Sequence, residues 1–190
     1  LLRDLAVFYT IELNQDIFRE KLNKLQIDFE NLSKNICPQI SFLKLEIDKV
    51  PDLYKNSLND YFSDLSLNKN NFFTDVSNYL SYETGQPTHC YDANTINNKL
   101  IFHEIESDEE FETLLDRKIS LKGKNAVFSL NNKVINLAGV VGGKSTSCST
   151  NTKTVIVECA FFQPEAIIGK SVKYDIQSEA SHKFERGVDR

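Results

Sequence analysis

Methionine is missing from all 190 residues, and no glycine occurs before Gly85. With no initiator residue, an apolar opening (Leu1, Leu2, Leu5) and no tail after Gly187-Val188-Asp189-Arg190, the chain is expected to be a piece of a longer polypeptide. No apolar run reaches the ~18–20 residues that span a bilayer, and no basic-plus-apolar leader opens the sequence. A membrane-spanning helix is excluded and export is unsupported. Cys37, Cys90, Cys148 and Cys159 form no CxxC pair, and His89, His103 and His182 do not stand at zinc-ligand spacing from them. No metal site is expected, and unpatterned thiols in a chain this size suit a reducing cytoplasm. An excess of positive charge is also missing: 22 Lys and Arg against 27 Asp and Glu leave a net charge of −5. That argues against a broad phosphate-binding face, while leaving room for a small pocket that takes only the end of a nucleic acid.

What remains is a globular composition, 41% hydrophobic and 26% charged, enough for one ordinary domain or two small ones. All seven glycines lie between Gly85 and Gly187, so the first part favours helices and the remainder favours short strands with glycine corners. From Leu1 to about Leu32 the apolar spacing is loosely helical, as one long helix or two broken at Asn14-Gln15-Asp16. Leu43 to Asp48 alternates and predicts a half-buried strand. Pro51-Asp52 opens a predicted helix with Tyr54, Leu58, Tyr61, Phe62 and Leu65 on one face, and Asn68 to Asn71 reads as a loop. Phe72 to Thr84 starts strand-like and ends helical, with Gly85 where a C-terminal cap belongs. Strands are predicted near 100–106, 118–121, 126–130, 134–137 and 154–159, with a hairpin turn at Asn131-Asn132. Short helices are predicted from Pro164 and from Ser178, a good N-cap. The fold class is α+β: a helix-rich N-terminal part packed on a mixed, mostly antiparallel sheet.

Three segments invite a chemical reading. Ala138-Gly139-Val140-Val141-Gly142-Gly143-Lys144-Ser145 fits a relaxed phosphate loop, but that motif needs a helix starting at the Lys-Ser pair. The polar run after Ser145 is a poor helix former, so a glycine corner where backbone meets backbone or a ligand is the better reading. Glu158 sits inside Val155-Ile156-Val157-Glu158-Cys159-Ala160-Phe161-Phe162. A carboxylate buried there must be paired for structure or held for function, and the sequence leaves both open. His89 lies in the polar stretch Gly85 to Asp92, where a histidine is solvated or positions a proton. Phe161-Phe162 with Phe184, and Phe72-Phe73, are not interleaved with Lys or Arg and read as core rather than base-stacking platforms.

Taken in order, these segments resemble a family. Cys37-Pro38, Asp75-Val76-Ser77-Asn78-Tyr79, Gly85 to Asp92, Leu137 to Gly143, Val157 to Phe162 and Ser178 to Asp189 follow one another as in the central editing module of the beta subunit of bacterial phenylalanyl-tRNA synthetase. The resemblance implies a helical remnant of the preceding subdomain over residues 1–36 and an editing domain over 37–190. It implies hydrolysis of tyrosine wrongly attached to phenylalanine tRNA, with His89 and Asn78 as catalytic residues. Glu158, Ala138, Gly139, Gly142, Ser178 and Ala180 are the implied substrate-binding residues. Ser178 stands where the family carries Thr, Lys144 where Glu is usual, and Asn68 where Arg is common. The implied partners are phenylalanine tRNA and an alpha subunit in a heterotetramer, in the cytoplasm; ATP and Mg²⁺ belong to the parent enzyme, with no cofactor in this piece. A noncatalytic scaffold or RNA-positioning module of the same subunit is the alternative.

The residues supply a mechanism for that expectation. An apolar synthetic pocket discriminates poorly against an added hydroxyl, so a second site must demand it. Glu158 can accept the phenol; with Phe bound it stays unpaired at about 1–3 kcal/mol, a factor of roughly 5 to 150. Small residues at Ala138, Gly139, Gly142 and Ala180 leave room for a ligand, and His89 and Asn78 orient the ester, the amino group or a water. No metal or covalent intermediate is needed.

Overall fold

The structure is a computed structural model that describes residues 8–10, 25 and 27–189. Its largest sheet has the order β1 (Phe29–Asn31), β4 (Leu100–Ile105), β7 (Asn125–Leu130), β8 (Lys133–Leu137), β9 (Val141–Gly142). β1 runs parallel to β4 and the other neighbours are antiparallel. β7 is buried at every position, as a strand between two neighbours must be when both its faces are covered. Asn131 and Asn132, both at positive φ (53° and 60°), turn β7 into β8 as predicted; asparagine tolerates the left-handed region that such hairpin turns require. A second sheet places β10 (Thr154–Phe161) between β2 (Gln39–Glu46) and β3 (Thr88–Asp92), antiparallel to both. β5 (Glu109–Glu112) and β6 (Lys118–Leu121) form a separate hairpin.

The inner faces of the two larger sheets share one core, in which Tyr91, Ile156 and Ala160 join Phe102, Phe128, Phe162 and Phe184. Phe162 is its hub, with ring centroids 5.8 Å from Phe102 and 5.0 Å from Phe184. The other face of the second sheet carries a small core of Phe73, Cys90, Cys148 and Val155, capped by a helix. That helix is α2 (Phe72–Thr84), preceded by α1 (Asn56–Asp64). Asn71 caps α2, its side chain accepting from Thr74 N at 3.1 Å, and Gly85 closes it in the left-handed region. After β10 come α3 (Pro164–Ile167), with proline in its first turn, α4 (Lys170–Tyr174) and α5 (Glu179–Arg186). Ser178 caps α5 by accepting from Ser181 N at 3.0 Å. Among the described residues no helix is long and apolar enough to cross a membrane.

The class is α+β, and the strands are mixed but mostly antiparallel, as predicted. Several local expectations are corrected. The stretch 1–32 lies mostly outside the described residues, but its end is strand β1, which leaves the helical pattern to pair with β4. β2 begins at Gln39, and its half-buried residues are Ile40 and Phe42, the latter against Phe29. Leu43 and Leu45 are 40% and 41% exposed, because β2 is an edge strand whose outer face is only partly covered. The helix predicted from Pro51 starts at Asn56 instead, leaving Tyr54 ahead of it, and α2 is helical from Phe72 onward because Asn71 caps it. The polar turn after Gly85 is short: β3 already begins at Thr88.

Candidate functional site

Register assembles the site. In the β3–β10 ladder His89 stands opposite Glu158 and Tyr91 opposite Ile156. Opposed residues share a face and alternate residues return to it, so His89, Tyr91, Glu158 and Ile156 all turn toward the larger sheet. Cys90 and Val157 turn the other way, toward α2. Tyr91 reaches diagonally, and its phenol donates to Glu158 Oε2 at 2.5 Å. From β8, Asn136 Nδ2 donates to the same phenol oxygen at 2.9 Å. The His89 ring packs edge-on against Tyr91 with centroids 4.5 Å apart.

Burial sets the electrostatics. Glu158 is 5% exposed, and desolvation pushes its carboxyl from 4.5 up to about 7, against the opposing pull of the Tyr91 hydrogen bond. The same burial, with the Glu158 charge second, holds the Tyr91 phenol well above its usual range. Desolvation pulls His89 down to about 4, so its ring is neutral near pH 7. His89 as a whole is half-buried, yet its Nε2 is sealed from solvent with no hydrogen-bond partner. Glu158 Oε1 makes no hydrogen bond among the described residues, and unlike His89 Nε2 it is not sealed from solvent. Both residues line a recess of about 70 Å³, space for roughly two waters. Its lining includes His89, Asn136, Gly139, Gly142, Glu158 and Ala180. No three His, Cys, Asp or Glu among the described residues gather closely enough to hold a metal ion.

Comparison with known proteins gives the family of the chain. The model of the B3/4 domain family matches residues 51–190, most of the chain. The chain belongs to the B3/4 domain family. It is similar to the phenylalanine–tRNA ligase beta subunit of Ehrlichia canis, 38% identical over 133 residues, which covers 70% of this chain and 17% of that protein. The same subunit of Psychrobacter arcticus is 34% identical over 154 residues, 80% of this chain and 19% of that protein. The chain therefore spans under a fifth of the length of these relatives. Among solved structures, an N-terminal fragment of the phenylalanyl-tRNA synthetase beta subunit from Pyrococcus horikoshii shares the fold, with a TM-score of 0.53 at 13% identity, covering 75% of this chain and 45% of that one.

In this B3/4 domain the residues singled out from sequence divide into two groups. His89, Glu158, Gly139, Gly142 and Ala180 converge on the recess. Ala138 lies just behind it, buried, with its N–H donated to Ala126 O. Ser178 lines a neighbouring open cleft of about 750 Å³ along α5, and its hydroxyl donates to Val140 O at 2.7 Å. Asn78 is exposed on α2 and is not in the recess lining. The glycines serve the protein's own side chains: a Cβ on Gly142 would sit 2.2 Å from His89 Cε1, and one on Gly139 would sit 2.9 Å from Ile167 Cδ1. The sequence Gly142-Gly143-Lys144-Ser145 builds no phosphate loop. Gly143 N–H is spent on Ile135 O, Lys144 to Thr146 make a single 3-10 turn, and Lys144 Nζ pairs with Asp116 at 2.6 Å and Glu112 at 3.3 Å.

Tyr91 and Asn136 were not singled out from sequence. Tyr91 carried a weak signal, standing two residues from His89 and so on its face of any strand. Asn136 stood inside the apolar run Val134 to Leu137, where a buried amide needs a partner.

Proposed function

We propose that this B3/4 domain is the editing module of a phenylalanine–tRNA ligase beta subunit, and that it hydrolyses tyrosine mischarged onto phenylalanine tRNA. The observation that carries this reading is the carboxyl of Glu158, buried, bonded to a phenol at 2.5 Å through one oxygen and unpartnered through the other. The Tyr91 contact is the same chemistry within the fold, a phenol donating to this carboxyl. A tyrosyl ligand brings a second phenol to Oε1; a phenylalanyl ligand leaves that oxygen dry and unmet, at about 1–3 kcal/mol.

The remaining residues divide the work. His89 is neutral with an unpaired Nε2, which gains the capacity to direct a water or the ester once the ring turns toward the recess. Gly142 lets the imidazole sit against the β9 backbone, and Ala180 keeps the α5 side of the recess low. The recess is small for a tyrosyl ring but opens to solvent, and Ala180 and Phe184 form its α5 side. Ligation of phenylalanine with ATP and Mg²⁺ belongs, in this proposal, to the parent enzyme and its alpha subunit in the cytoplasm.

The test is deacylation of Tyr-tRNA by the intact two-subunit ligase. The expected result is hydrolysis that slows by at least roughly tenfold in His89→Ala. Undiminished hydrolysis in that variant removes the histidine from the mechanism. An intact wild-type enzyme that leaves Tyr-tRNA untouched favours the noncatalytic RNA-positioning module instead.

A further inference from the structure

The hydrogen bonds around Glu158 have a direction. Asn136 Nδ2 has only hydrogens to give, so the Tyr91 oxygen accepts from it, at 2.9 Å. The single phenolic hydrogen is then committed to Glu158 Oε2, at 2.5 Å. Tyr91 is fully buried and Asn136 is 4% exposed, so water does not compete for either. An oxygen that already receives the phenolic hydrogen is a poor seat for a second proton. Whenever the carboxyl is protonated, its hydrogen must therefore reside on Oε1, the oxygen without a partner.

We propose that Tyr91, oriented by Asn136, is a positioning residue that makes Glu158 one-sided: it occupies Oε2, locks the carboxyl plane, and reserves Oε1 as the single group that reads a ligand's hydroxyl. The inference rests on the editing role given to Glu158 above and extends it to two residues behind the recess. Without Tyr91 either oxygen can turn to the recess or carry the proton, and a ligand without a hydroxyl meets a carboxyl free to rotate away from it. The groups close enough to matter are few. His89 and Tyr91 face Glu158 from β3, and Asn136, which does not titrate, faces it from β8. The thiols of Cys37, Cys90 and Cys159 feel its charge. From α5 the recess receives only Ala180 and Phe184.

The experiment is Tyr91→Phe in the intact ligase, a change that keeps the ring and deletes the hydroxyl. The rates of Tyr-tRNA and Phe-tRNA hydrolysis are followed from pH 5 to 9, and the carboxyl stretch of Glu158 is followed by infrared difference against Glu158→Gln. The expected result has two parts. The Tyr-over-Phe preference falls roughly three- to tenfold, the worth of one such hydrogen bond. The titration of Glu158 moves to higher pH, because the bond that lowered it is gone. Asn136→Ala, which leaves the phenol in place but free to turn, gives the same changes more weakly. A Tyr91→Phe enzyme with unchanged preference and an unchanged Glu158 titration overturns the proposal and leaves Tyr91 as core filling. Failure of the editing role looks different: the wild type then hydrolyses neither substrate, while the infrared titration still reports whether Tyr91 holds the carboxyl.

Discussion

Asp75 on α2 and Glu158 on β10 are both buried carboxylates that accept a tyrosine phenol, from Tyr54 at 2.6 Å and from Tyr91 at 2.5 Å. Asp75 also receives the backbone N–H of Asn70 on both oxygens, at 3.0 and 3.1 Å. It is thereby a clasp that ties the segment ahead of α1 and the loop ahead of α2 to one helix. Among the described residues Glu158 has one hydrogen-bond partner, on one oxygen, and a recess beside it. Burial alone does not separate a structural acid from a functional one. In the proposed reading, the oxygen left without a bond and the recess beside it set Glu158 apart.

The sharpest way to split the pair is pH. The Glu158 carboxyl is raised from 4.5 to about 7 in the folded state, so the folded protein holds its proton longer than the unfolded chain. Its contribution to stability is complete below pH 4.5 and is lost as pH rises through 7, on the order of 3 kcal/mol in all. Glu158→Gln cannot ionise, so urea unfolding should show the variant gaining on the wild type across that window and keeping the gain above it. His89 acts with the opposite sign: lowered to about 4, it withdraws stability as pH falls from 6.5 through 4. Both proteins carry it, so it cancels in the comparison.

Asp75→Ala comes next. It strands the Tyr54 hydroxyl and the Asn70 N–H and should lower stability by about 2 kcal/mol, read from the same unfolding curves, with the Tyr-over-Phe preference unchanged. Gly142→Ala should do the reverse. Its new methyl falls 2.2 Å from the His89 ring, which must swing away, so hydrolysis drops about tenfold with a stability loss near 1 kcal/mol. The smallest effect belongs to Lys144→Ala. Among the described residues this exposed lysine pairs with Glu112 and Asp116 alone, and its loss should leave the melting temperature unchanged, with or without added ATP.

How far the sequence reached follows from what each feature depends on. Glu158 was legible because an acid in an apolar strand violates the local pattern, and Ser178 and Gly85 because caps act within a few residues. Asn131-Asn132 marked its hairpin for the same reason. The parallel pairing of β1 with β4 joins residues some seventy positions apart, and no local pattern announces it. Tyr91 and Asn136 meet only because two sheets pack face to face, so their bond lay beyond any periodicity in either strand. The glycine corner was visible, but not its beneficiary: Gly142 makes space for His89, a neighbour only through the packed fold.

The most direct measurement is the ratio of Tyr-tRNA to Phe-tRNA hydrolysis by the intact ligase carrying Glu158→Gln, set against the wild type at pH 8. Glutamine keeps the shape and removes the charge that accepts the phenol. The expected ratio collapses toward one, by roughly 5- to 150-fold. A variant that still prefers Tyr-tRNA as strongly as the wild type would contradict the role given to the buried carboxylate.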